Sequence, residues 1–217
     1  MKRFLPVGDP CFKTASGVGD LPVSPDTSQL GVALCILQPG VSSHERVGNV
    51  VSWIKAEVSL FVYPSNTNPL ESRLDLGRLW FVYDRNPGAS PSPFYADIVR
   101  EVTENGVEFS NSLSLSNVSE DARYLILKEK CFVLPPLGPL GINPSKTSGC
   151  YASEENFVHR FAVDLRGLES VFCVVGGVPD VTTGTFYLFP VADELAATGS
   201  ECAWRIRYSV RFYYSDK

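Results

Sequence analysis

Histidine and methionine are nearly missing: the 217 residues hold two histidines, His44 and His159, and one methionine, Met1. Two imidazoles cannot supply the three-histidine ligand set of a catalytic zinc site. His44 lies in a polar turn beside Glu45 and Arg46, and His159 sits between Val158 and Arg160 where a strand-like run begins. A hydrolytic triad needs a base beside a nucleophile, and neither GxSxG nor a cysteine-protease signature is present. The expectation is no catalytic residue, no metal and no cofactor. The six cysteines, Cys11, Cys35, Cys131, Cys150, Cys173 and Cys202, include no CxxC and no pair at zinc-ligand spacing. They read as reduced, mostly buried thiols.

Long apolar runs are absent as well, and none approaches the ~18 residues of a membrane span. Lys2 and Arg3 precede a stretch too short and broken for a signal-peptide core, so cytosolic synthesis is expected. Positive charge is not in excess: 19 basic against 24 acidic residues leaves −5. That is the wrong sign for a nucleic-acid binder unless basic side chains gather on one face. Neither a helix of four turns nor an internal repeat is visible.

What the chain has in quantity is aromatic side chains, 13 Phe, 9 Tyr and 3 Trp, which exclude general disorder. Residues 1–30 are rich in Gly, Pro, Ser and Asp and read as an irregular N-terminal arm. In them Gly17-Val18-Gly19, like Gly176-Gly177 later, reads as turn glycine, since no helix follows to receive a phosphate. From residue 31 to 217 short apolar and aromatic runs alternate with turn chemistry, as expected of one domain. Strands are predicted over 31–37, 50–63, 77–84, 112–116, 123–134, 157–165, 171–175, 185–190 and 203–214, with a helical turn at 97–102. In 50–63 the even positions Ile54, Ala56, Val58, Leu60 and Val62 make an apolar face, with Trp53, Lys55, Glu57 and Ser59 opposite. Many short strands and Gly/Pro-rich loops mean a sandwich or barrel. Counting eight main strands among these, the fold expected is an all-β, eight-stranded antiparallel jelly-roll β-sandwich with long loops and little helix.

Few residues carry chemistry. The doublets Glu120-Asp121, Glu154-Glu155 and Asp193-Glu194 point to opposite faces of any strand and read as solvated charge. Asn117-Val118-Ser119 fits a glycosylation sequon but reads as a polar turn. The last strand is more informative. Arg205, Arg207, Ser209, Arg211 and Tyr213 fall on one face, with Trp204, Ile206, Tyr208, Val210 and Phe212 on the other. Arginine every second residue makes a cationic stripe able to grip phosphate. The plainer reading is an outward face paired to Asp or Glu of neighbouring strands. Lys128 and Lys130 likewise share a face.

Several segments together resemble geminivirus coat proteins. They are Arg46-Val47-Gly48 with the strand containing Lys55, Leu79 through Pro87 with Gly88 and Pro91-Ser92-Pro93, Gly149 through Glu155 leading to Arg160-Phe161, and Arg205 through Asp216. The resemblance implies a single jelly-roll subunit that self-assembles into a small icosahedral shell around circular single-stranded DNA. The protein would then be found in the virion, and in host cytoplasm or nucleus during assembly, with no membrane partner. Its nucleic-acid contacts would come from Arg205, Arg207, Arg211, Lys2 and Arg3. Proline-rich loops containing Asn86, Pro87, Pro91, Pro93, Pro135 and Pro139 would dock neighbouring subunits at reduced entropic cost. Geminivirus coat proteins carry a long basic N-terminal arm, whereas here Lys2 and Arg3 lead into acidic or neutral residues. Either such an arm precedes this sequence or the genome is packaged differently. A coat protein of a small single-stranded RNA plant or satellite virus is the nearest alternative, and a cellular β-sandwich binding module is the alternative of another class.

Overall fold

The apolar–polar alternation of the strand runs resolves into two antiparallel sheets whose apolar faces meet. The computed structural model describes residues 13–23, 31–34, 37, 39–41, 44–64, 75–87, 98–100, 102–104, 107–109, 115–116, 123–134, 158–175, 178–192 and 204–217. Among them the strands are β1 (Lys13–Val23), β2 (Val32–Ala33), β3 (Val50–Pro64), β4 (Asp75–Asp84), β5 (Val99–Arg100), β6 (Val102–Glu104) and β7 (Val107–Phe109). They continue with β8 (Leu115–Ser116), β9 (Tyr124–Leu134), β10 (Val158–Asp164), β11 (Glu169–Val175), β12 (Val178–Thr183), β13 (Thr185–Ala192) and β14 (Trp204–Asp216). One sheet runs β1-β14-β3-β11-β12, with β10 also on β3; the other runs β2-β13-β4-β9. Small ribbons pair β5 with β8 and β6 with β7. We call the first two sheets the β14 sheet and the β13 sheet. The expected all-β, antiparallel class is what the molecule has.

Between the sheets lies an aromatic core. The Phe212 ring centroid is 5.1 Å from that of Phe186 and 6.2 Å from that of Phe81, and Trp53 meets Phe186 edge-on at 5.2 Å. Each such buried ring contributes about 1.5–3 kcal/mol. The Trp53 indole N–H donates to Ser170 Oγ at 2.7 Å, which satisfies its one polar atom inside the core.

Trp53 departs from the expected pattern. Its place with Lys55 and Glu57 is overturned, because Tyr213 faces Lys55 while Tyr214 faces Trp53, leaving Ile54 as an extra residue. That bulge reverses the alternation and turns Val51 and Trp53 inward, both buried. Over 97–102, where a helical turn is expected, Ile98 is helical and Val99, Arg100 and Val102 are strand, while residues 97 and 101 lie outside the described residues. Here Ile98 is buried against Trp80, Val82, Tyr187 and Phe189 on the far side of the β13 sheet. Residues 77–84 are accordingly buried on both faces, matching their unbroken apolar run.

Part of the irregular stretch assigned to 1–30 is also strand, since β1 pairs with β14 along its whole length. Gly17 and Gly19 are therefore strand glycines and not turn glycines. Gly19 lies opposite Tyr208, and a Cβ there would collide with the Tyr208 ring. Glycine is what lets the tyrosine lie across β1. The described cysteines differ from expectation too: Cys131 and Cys173 are free thiols, and both are exposed on outward-facing strand positions.

At the end of β4, Asp84 is fully buried and takes a bidentate pair of hydrogen bonds from Arg123, at 2.9 and 3.0 Å. It also caps the turn that follows, accepting the Asn86 N–H at 3.0 Å. This pair fixes the exit of the Asn86-Pro87 loop relative to β9.

Candidate functional site

β14 lies between β1 and β3, so its outward residues are continued by outward residues on both neighbours. The register sets three rows across the sheet: Asp20–Arg207–Phe61–Val158, Val18–Ser209–Ser59–Arg160 and Ser16–Arg211–Glu57–Ala162. A fourth row holds Thr14–Tyr213–Lys55–Asp164. The opposite faces of these strands, including Ile206, Tyr208, Val210 and Phe212, are buried in the core. The expected division of the last strand into an apolar and a cationic face thus holds for those four residues. The Trp204 side chain lies outside the described set.

Most charges on this outward face are already paired. Asp20 accepts the Arg205 Nε–H at 2.6 Å and the Tyr63 hydroxyl, while Arg207 Nε stands 3.9 Å away. Burial pushes the Asp20 carboxyl up, but the Tyr63 hydroxyl and Arg205 outweigh it, so it lies below the usual carboxylate range. The Asp20 hydrogen bond in turn raises Arg205. Glu57 takes Lys55 Nζ at 2.7 Å and the Tyr213 hydroxyl at 2.9 Å, and those two bonds lower its pKa. Asp164 is held by Arg166, which brings it down to about 2.

Among the described residues three further guanidinium groups are held less closely, Arg207 by its long contact with Asp20. Arg160 forms no ion pair among the described residues. Arg211 feels Glu57 only through space, and the Arg207 side chain is 68% exposed. They surround a floor of two small exposed residues, Ser59 and Ser209. Apolar side chains stand on the rim: Val18 is 77% exposed and Phe61 42%. The Phe61 ring stacks alongside Tyr63, with centroids 5.7 Å apart and planes 14° from parallel. The Arg207 guanidinium lies 5.5 Å from the Tyr63 ring centre.

The sequence-derived candidates divide accordingly. Arg207 and Arg211 lie together on the open face. Arg205 is on the same face but serves as the ion-pair partner of Asp20, the plainer of the two readings considered for it. Asn86 is exposed and Pro87 partly so, at the end of β4 and away from these rows. Lys2, Arg3, Pro91, Pro93, Pro135 and Pro139 lie outside the described residues. Arg160 and Phe61 were not among the candidates. Period-2 reading puts each on an outward face, but only the pairing of β10 and β14 with β3 brings them beside Arg207.

A second polar cluster ties the start of β1 and the end of β14 to the 44–49 turn. Lys13 Nζ meets Asp216 at 2.7 Å, and the same carboxylate accepts the Val47 N–H at 3.1 Å. Arg46 is buried, with its guanidinium 4.5 Å from the Phe172 ring centre and donating to Gly48 O at 2.7 Å. These bonds join the first and last of the sequence blocks described above and hold β1, β14 and the turn together. Among the described residues no three His, Cys, Asp or Glu side chains gather as a metal site, and no helix is long and apolar enough to cross a membrane.

Compared with known proteins, the chain matches no family model and no curated protein.

Proposed function

We propose that the protein is a viral coat protein of the geminivirus-like kind: a jelly-roll subunit that self-assembles into a small icosahedral shell around single-stranded DNA. The observation that carries the reading is the pairing of eight strands. Taking β1, β2, β3, β4, β9, β10, β13 and β14 as first to eighth, the first pairs with the eighth, the second with the seventh, the third with the sixth and the fourth with the fifth. That is one long antiparallel hairpin. Wrapping it over itself sets the eighth strand beside the third and the seventh beside the fourth, as β14·β3 and β13·β4 are. This pairing supports the jelly-roll reading, since a hairpin rolled over itself is the architecture of viral capsid and lectin domains.

Two further features support the shell reading over a cellular binding module. Arg46, Trp80, Phe81 and Tyr214, among the largest fully buried side chains, all fall in the blocks that resemble coat proteins. The outer surfaces of the two sheets also differ. On that of the β13 sheet Trp80, Val82, Tyr187 and Phe189 are buried with Ile98 packed against them, while among the described residues that of the β14 sheet exposes Arg160, Arg207 and Arg211. A subunit with one cationic face can line the inside of a shell and meet its neighbours through loops and edges. Contacts that close around symmetry axes then give a finite particle.

Solution mass and negative-stain microscopy test this directly. Closed particles of tens of subunits are expected, with nuclease digestion of purified particles separating DNA from RNA. A species no larger than a dimer at every concentration, salt and pH would leave the binding module as the better reading.

A further inference from the structure

We infer that Phe61, with Arg207 beside it and Arg160 and Arg211 farther along the same face, forms a stacking site for an unpaired base of a nucleic-acid strand; this rests on the nucleic-acid reading above. Phe61 is an aromatic side chain on an outward strand position, 42% exposed, and among the described residues its ring contact is with Tyr63. Its ring is held upright by stacking on Tyr63, which is itself fixed by donating its hydroxyl to Asp20. The orientation of Phe61 is therefore set before any ligand arrives, and little side-chain entropy remains to be lost on binding.

The surroundings fit one kind of occupant. Beside Phe61 the serine floor separates the Arg207 row from the Arg211 row by roughly 13 Å, four residues of strand at ~3.4 Å each. Arg207 lies next to Phe61 across the β14–β3 pair, and Arg160 lies across the β3–β10 pair from Ser59. A flat base against Phe61 would have its flanking phosphates within reach of guanidinium groups on either side. An acidic peptide would satisfy the arginines but would make no use of the ring. Duplex DNA would present phosphates with its bases already stacked on one another. Aromatic stacking flanked by cations is how single strands are held without sequence preference.

The test compares the full-length protein with Phe61→Ala, Phe61→Leu and the double variant Arg207→Gln/Arg211→Gln. The probes are labelled oligothymidylate, an abasic oligonucleotide of equal length and a duplex, with binding read by anisotropy at fixed salt. The wild type is expected to prefer oligothymidylate over the abasic strand by roughly 5- to 160-fold, the range of one stacked base. Both Phe61 variants should bring oligothymidylate down to the abasic level and leave abasic binding unchanged. Leucine keeps an apolar side chain without a π-face, so its agreement with alanine separates stacking from bulk hydrophobicity. The arginine variant should weaken both single strands together. If it does so while the Phe61 variants bind like wild type, the stacking site is wrong and the nucleic-acid reading stands. Absence of binding to any probe overturns both. Loss of particles on changing Phe61, with oligonucleotide affinity intact, overturns the stacking site in favour of a subunit contact.

Discussion

At the scale of single residues, His159 shows what a buried polar atom without a partner does to stability. It faces inward from β10, opposite Leu60, and its ring lies 5.6 Å from that of Phe132. Among the described residues its Nε2 has no hydrogen-bond partner. Burial first, and the positive charge of Lys130 second, lower its pKa below the ordinary histidine value of 6.5. The unfolded chain then takes up a proton before the folded one as pH falls. Stability contributed by neutral His159 is complete above the unfolded value, declines as pH drops through it, and levels off below the folded value. The slope in that window cannot exceed about 1.4 kcal/mol per pH unit for one proton, and partial exposure makes it smaller. Urea midpoints measured from pH 7.5 to 5 should fall for the wild type and stay flatter for His159→Phe. Equal slopes for the two proteins would show that other groups account for the decline.

At the scale of elements, the corner where the chain passes from β12 in one sheet to β13 in the other is fixed by one glycine. Gly184 has φ of 74°, and a Cβ there would collide with the Glu169 carbonyl and the Tyr83 hydroxyl. The same corner is bonded from both sheets: Ser170 Oγ donates to Gly184 O, and the Tyr83 hydroxyl donates to Glu169 O. Gly167 has a similar φ of 89° but open space around it. Gly167→Ala should therefore show conformational strain alone, about 1 kcal/mol, while Gly184→Ala adds the collision and costs at least ~2 kcal/mol more. Urea denaturation of the two variants checks this, and equal losses would mean that the corner relaxes freely. Gly184 also marks how much the sequence could tell. The apolar face of β14 and the strands around residues 77–84, 123–134 and 158–164 were legible, because each carries its own period or apolar run. The bulge at Ile54 was not, since it exists only in the pairing of β3 with β14. Nor was β1, whose Gly17 and Gly19 look like turn residues until Tyr208 is laid across them. For the same reason three outward arginines could be read from β14, but not the Phe61 and Arg160 that adjacent strands bring to them.

For the molecule as a whole, the three arginines of β14 should separate into two functions. Arg205 joins the edge strand β1 to the sheet through Asp20, whereas Arg207 and Arg211 point from the open face with little compensation. Arg205→Gln removes a partly exposed, charge-assisted bond and should lower stability by about 0.5–1 kcal/mol. It leaves the open guanidinium groups in place, so the nucleic acid retained per particle should change little. Arg207→Gln/Arg211→Gln should do the reverse. Stability stays within about 0.5 kcal/mol, as for surface substitutions generally, while retained nucleic acid falls. For oligonucleotide binding, the slope of log K against log salt should become shallower by about 1.4, two single-strand phosphates at ~0.7 each. Particle yield by microscopy, nucleic acid by the 260/280 nm absorbance ratio of purified particles, and urea midpoints give the three readouts. The division fails if all three arginines affect packaging alike, or if none does. Loss of particles in the double variant, with folding intact, would make this face a subunit contact, because a shell that cannot close no longer reports on what it encloses.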